Sequence, residues 1–107
     1  MDNAEKIKRL QRINPKIMHS NAIAQDLEKI GAYKTDYRNY LLSGSSVDYD
    51  AELARVATAD YDTVCAIMTM LTREALFCGE KFFKKHVDNG EVDGIINRMI
   101  ELLEQEQ

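Results

Sequence analysis

Residues 91–104 place Val92, Ile95, Ile96, Met99, Ile100, Leu102 and Leu103 three and four apart, with charged residues between them. That spacing is the signature of a helix with one apolar side, and the side must be buried against something. The demand is repeated upstream. Tyr61, Val64, Cys65, Ile67, Met68, Met70 and Leu71 cover more than half the circumference of a helix over about 60–76, which predicts a central helix touched on several sides. No segment shows sustained alternation with β-branched enrichment, and no internal repeat is present. The fold class read from this pattern is all-α: a single compact bundle of five or six short helices. The helices at 60–76 and 91–104 are expected to be its main core partners.

The remaining helices are shorter. Ile7, Leu10 and Ile13 recur at helical spacing over residues 4–13, and Asn14-Pro15 resets the chain as an N-cap and first-turn pair. A second helix is expected over 16–30, with Ile17, Met18, Ile23, Leu27 and Ile30 on its inner face. His19-Ser20-Asn21 interrupts it with residues that favour caps and turns, so one helix or two fit. Gly31 closes that helix, and Thr35 or Asp36 can cap a third running to about Leu42. A fourth is expected over 50–57, and Thr58 or Asp60 caps the central one. Gly79 either breaks the helical run over 72–88 or lets another helix approach closely. Asn89-Gly90 is a firmer stop before the terminal helix.

A chain of 107 residues is of single-domain size, with 45% apolar residues to form a core. Ser43-Gly44-Ser45-Ser46 is the clearest loop, and the expected domain spans 1–107 with the loop at 43–47 inside it, since either half alone would make a marginal core. Charge changes sign across this loop. Residues 1–40 carry eight Lys or Arg against five Asp or Glu, and residues 41–107 carry six against thirteen, giving +3 and −7 within the net −4. Such polarity is expected to be a solvated surface, and it suits steering of a charged partner or head-to-tail contact. The acidic half disfavours strong non-specific nucleic-acid binding.

The charged N-terminus lacks the apolar run of a signal peptide, and no stretch approaches the roughly 20 apolar residues that cross a bilayer, so a cytoplasmic protein without membrane attachment is expected. Cys65 and Cys78 fall in helical segments. On one continuous helix they would lie about 20 Å apart, far beyond the ~7 Å that a disulfide spans. Two reduced, buried thiols are expected, unless a break near Phe77 or Gly79 folds the chain back.

No constellation of catalytic residues stands out. His19, His86, Cys65 and Cys78 include neither a C-x-x-C nor an H-x-x-x-H pair, and no nucleophile elbow or phosphate-binding glycine loop is present. His86 is read as a half-buried or rim residue. A non-enzyme is therefore expected, with no cofactor and no metal. Tyr33, Tyr37 and Tyr40 recur at helical spacing and are candidate partner-binding residues, because tyrosine is enriched at hot spots; the rim of the core accounts for them as well. Arg73 follows a strongly apolar stretch and precedes Phe77 by four residues, a place for a buried pair, a binding notch or a solvated arginine. Lys6, Lys8, Arg9, Arg12 and Lys16 form the only basic cluster, either a surface helix or a phosphate-contacting one.

Arg73-x-x-x-Phe77-Cys78, then Asn89-Gly90-x-Val92, then Ile95-Ile96-Asn97-Arg98-Met99 follow one another over about residues 53–103. This order resembles a family of short bacterial all-helical proteins of unknown function. In that family a second arginine stands just before the phenylalanine and an acidic residue precedes a glycine; here Leu76 takes the arginine's place and Gly79-Glu80 reverses the order. The resemblance implies an all-helical fold, no assigned activity, and structural or binding roles for Arg73, Phe77 and Gly90.

The function expected from all of this is a small protein–protein interaction domain, a bacterial or phage-encoded regulator or inhibitor acting on a larger protein. The alternative is a nucleic-acid-binding regulator using the basic N-terminal cluster. A homodimer through uncovered parts of Met99, Leu102 and Leu103 is compatible with either.

Overall fold

The computed structural model describes residues 1–42 and 46–106; of the expected loop, Ser43-Gly44-Ser45 lie outside the described residues. Six α-helices follow in order: α1 (Asn3–Gln11), α2 (Ser20–Lys29), α3 (Tyr49–Leu53), α4 (Tyr61–Cys78), α5 (Glu80–Asp88) and α6 (Glu91–Gln105), with a 3-10 turn at Tyr37–Tyr40. There is no strand among the described residues, and the all-α class holds. The Cα radius of gyration is 12.7 Å, close to the ~13 Å expected for a compact chain of this length.

Helix α4 is the axis of the bundle. Every residue from Val64 to Thr72 is buried, and α2, the 3-10 turn, α5 and α6 all pack on it. Asp60 starts it, its carboxylate accepting the Thr63 N–H at 2.9 Å. Helix α6 returns against α4 and α5 and also covers α1, which buries Leu10. Met99 and Leu103 are buried and Leu102 is half-buried, so most of the terminal stripe is spent inside the chain.

Three expected helices are shorter than their apolar patterns. The second begins at Ser20, not Lys16. Lys84 extends its ammonium to the carbonyls of Pro15 and Met18, each at 3.0 Å, and Asn14 Oδ1 accepts the Lys16 N–H at 3.2 Å. These bonds hold residues 14–18 in a turn, and His19 caps α2 by accepting the Asn21 N–H at 3.1 Å. Ile17 consequently leaves the core and is 81% exposed. The third shrinks to the 3-10 turn because Arg55 takes the Tyr40 carbonyl (3.0 Å) and Glu52 takes the Leu42 N–H (2.8 Å). The fourth spans only Tyr49–Leu53; Arg98 donates to the carbonyls of Val56 and Ala59, at 3.1 and 3.2 Å, and fixes the irregular stretch after it.

Gly79 breaks the helix. Its φ of 92° lies in the region that side chains disfavour, and α5 folds back onto α4 from there. Cys65 is buried, as expected, but Cys78 is exposed because α4 runs past the end of the core. His86 lies deeper than the rim expected for it.

Candidate interaction surface at the end of helix α4

The last turn of α4 has no layer above it. Ala75 is the last buried position, and Leu76 and Phe77 are 65% and 79% exposed. Helix α4 outruns the layers packed on it: Thr72 and Arg73, one turn back, are still buried and half-buried, and the chain stands free only beyond Ala75. The corner beyond them is rigidly tied. Glu80 accepts the Ser20 N–H at 2.9 Å and the Ser20 hydroxyl at 2.6 Å, with His19 Nε2 3.4 Å away. Ile17 and Phe77 each stand three residues before a member of this contact and are both exposed.

Arg73 and Tyr33 meet. The guanidinium donates to the Tyr33 hydroxyl at 3.5 Å, while its Nε is buried without a partner. That contact holds the arginine pKa above its ordinary value. No carboxylate pairs with Arg73 among the described residues, whereas Glu74 on the neighbouring face is engaged by Arg38 at 3.8 Å. The surface is thus apolar with an uncompensated cation beside it.

The other tyrosines do not extend it as a row. Tyr37 is buried, with the Arg38 guanidinium 5.6 Å above its ring, and Tyr40 is half-buried against the core. Tyr33 precedes the 3-10 turn, so no common helical stripe carries all three. The basic residues lie elsewhere: Lys8 and Arg9 are exposed on α1 with Lys6 half-buried, Arg12 is exposed at its C-cap, and Lys16 is exposed in the following turn. None of the five forms an ion pair among the described residues. Among the described residues no three His, Cys, Asp or Glu side chains converge as a metal site requires, and no helix is long and apolar enough to cross a membrane.

The family resemblance marks Phe77 as structural or binding, whereas Leu76 carries no assigned role in the sequence and Ile17 is expected on an inner helix face. The available signal was Gly79, two residues after Phe77, which marks where the helix ends. No family model, curated protein or solved structure matches the chain.

Proposed function

We infer that the chain is a small non-enzymatic interaction domain, a regulator or inhibitor that holds a larger protein at the end of α4 and works in the cytoplasm. The observation that carries this reading is the adjacent pair Leu76 and Phe77, standing out of the bundle on a helix end that Ser20 and Glu80 hold in place. Covering each side chain would contribute about 1.5–3 kcal/mol, and a preformed surface spares the ordering cost of a flexible one. Arg73 adds direction, favouring a partner that brings a carboxylate beside its apolar anchor. The family resemblance marks Arg73, Phe77 and Gly90; the first two belong to this surface, and Gly90, with φ 79°, serves the turn into α6.

A photo-crosslinking residue at position 77, compared with one at exposed Lys29, tests the reading in cell extract. A discrete heavier adduct should form at position 77 alone and disappear on Arg73→Glu. The same adducts at both positions, or only a dimer of the chain itself, would overturn it.

One observation favours the nucleic-acid reading: the five N-terminal cations lack carboxylate partners among the described residues. Filter binding of DNA and RNA at low salt, with Lys8→Glu and Arg12→Glu as controls, decides it.

A further inference from the structure

Gly94 has no structural reason to be glycine. It lies within α6 in ordinary helical conformation, it is exposed, and a Cβ added there would meet nothing within 4 Å. Glycine is the poorest helix former after proline, so the position weakens α6 without easing any turn or contact. What it does is leave a groove open. The groove, of about 600 Å3, runs between α6 and the α3 region, with Leu53, Val56 and Ile95 as its apolar lining and Asp50 and Glu91 among its charged residues. Arg98 braces its wall through the Val56 and Ala59 carbonyls and pairs with Glu101, so its own charge is already used.

A second cleft of about 550 Å3 adjoins it and shares Asp50. Here Tyr49, Phe82 and His86 pack as an aromatic cluster, with ring centroids 4.9 Å apart for Tyr49–Phe82 and for Phe82–His86. The His86 side chain is only 8% exposed, and its Nδ1 lies 2.9 Å from a Glu91 oxygen. An ionised carboxylate only accepts, so Nδ1–H is the donor of this contact. His86 lines this cleft, and its Nε2 has no hydrogen-bond partner among the described residues. Counting Asp48, Asp50 and Glu91 against Lys85, and leaving aside the Arg98–Glu101 pair, the two clefts together are acidic.

We propose that these adjoining clefts receive a segment of a partner protein in which an apolar side chain stands next to a lysine or arginine. The apolar side chain fills the groove at Gly94. The cation lies against Asp50 and the Tyr49 and Phe82 rings, beside His86. Two neighbouring clefts of unlike chemistry match successive side chains of one chain, while a single compact molecule would occupy only one of them. The surface shares no residue with the Leu76–Phe77 patch, so the two readings fail independently.

The test is selection of short random peptides displayed on phage, with the intact chain as bait and Gly94→Leu as the counter-bait. Enriched peptides should join Lys or Arg to a large apolar residue, and their amide shifts should map to Leu53, Ile95 and His86. Binding should weaken ~10-fold or more on Gly94→Leu, which fills the groove, and on Asp50→Lys, a change at an exposed position that leaves the core intact. Gly94→Leu should melt no lower than the parent. Failure to enrich any peptide, enrichment of acidic ones, or binding indifferent to both substitutions would overturn the proposal. So would benzylamine binding at the same residues as tightly as the best peptide, which would make the occupant a small amine.

Discussion

Replacing Glu52 with alanine should cost more stability than any other single change at a charged position. Glu52 is fully buried; one carboxylate oxygen meets Arg55 at 2.7 Å and the other accepts the Leu42 N–H at 2.8 Å. Arg55 in turn holds the Tyr40 carbonyl, so the pair fastens residues 40–42 to α3. Breaking a fully buried pair costs about 3–5 kcal/mol. Arg55 is 29% exposed and stays partly hydrated, which lowers its share to about 2 kcal/mol. The orphaned Leu42 N–H adds about 1 kcal/mol, at the low end because Leu42 itself is exposed. The sum is about 3 kcal/mol. With an unfolding entropy of about 2.1 cal/mol/K per residue, the Tm of this chain should fall by about 13 °C, read by circular dichroism. Glu52→Gln, which keeps an acceptor for Leu42 but loses the charge, should fall by about half as much. A drop of less than about 3 °C for Glu52→Ala would refute the reasoning, since it would mean that the pair holds nothing that water cannot replace.

Three further outcomes are expected. Asp60→Ala should remove the α4 cap, at about 1 kcal/mol. The Thr63 hydroxyl and N–H hold the Asp60 pKa below its ordinary value, so the cap's contribution is complete above the ordinary carboxylate range and lost as pH falls through the lower native value; the gap in Tm between parent and variant should close on acidification. A thiol reagent near neutral pH should label one cysteine in the folded chain and two in denaturant, because Cys78 is exposed while burial pushes the Cys65 thiol up to about 12; labelling of both in the native state would contradict this. Gly94→Ala should stabilise α6 by up to about 1 kcal/mol, raising Tm by about 4 °C, and a fall would show that the glycine has a packing role after all.

Periodicity was a sound guide wherever one helix face met the core. The central helix, the terminal helix and the turn at Asn89-Gly90 were all legible, because each is a local signal that tertiary contacts reinforce, and of the two caps offered for the central helix, Thr58 and Asp60, the second is used. The pattern was misleading wherever a distant polar side chain captured the backbone. Lys84 draws the carbonyls of Pro15 and Met18 out of a helix, Glu52 and Arg55 do the same near Leu42, and nothing at residues 16–18 or 40–42 announces partners so far along the chain. The candidate surface was half legible. Arg73 stood out by position and Phe77 through the family resemblance, but nothing marked Leu76 or Phe77 as exposed, since an apolar residue carries no mark of where the body of the protein ends. The His86–Glu91 contact was invisible for a similar reason: it spans the α5–α6 turn, and neither residue is unusual in composition.

The seating of α1 on α6 has a consequence for the order of assembly. Asn3 Nδ2 donates to the Leu103 carbonyl at 3.3 Å, so α1 finds its partner only when α6, far later in the sequence, has left the ribosome. Nine residues fall short of the ~12–15 a helix needs to persist alone in water, and Leu10 stays uncovered until then. Helix α1 is therefore a late latch on a nascent chain whose α2, α4 and α5 can already have met.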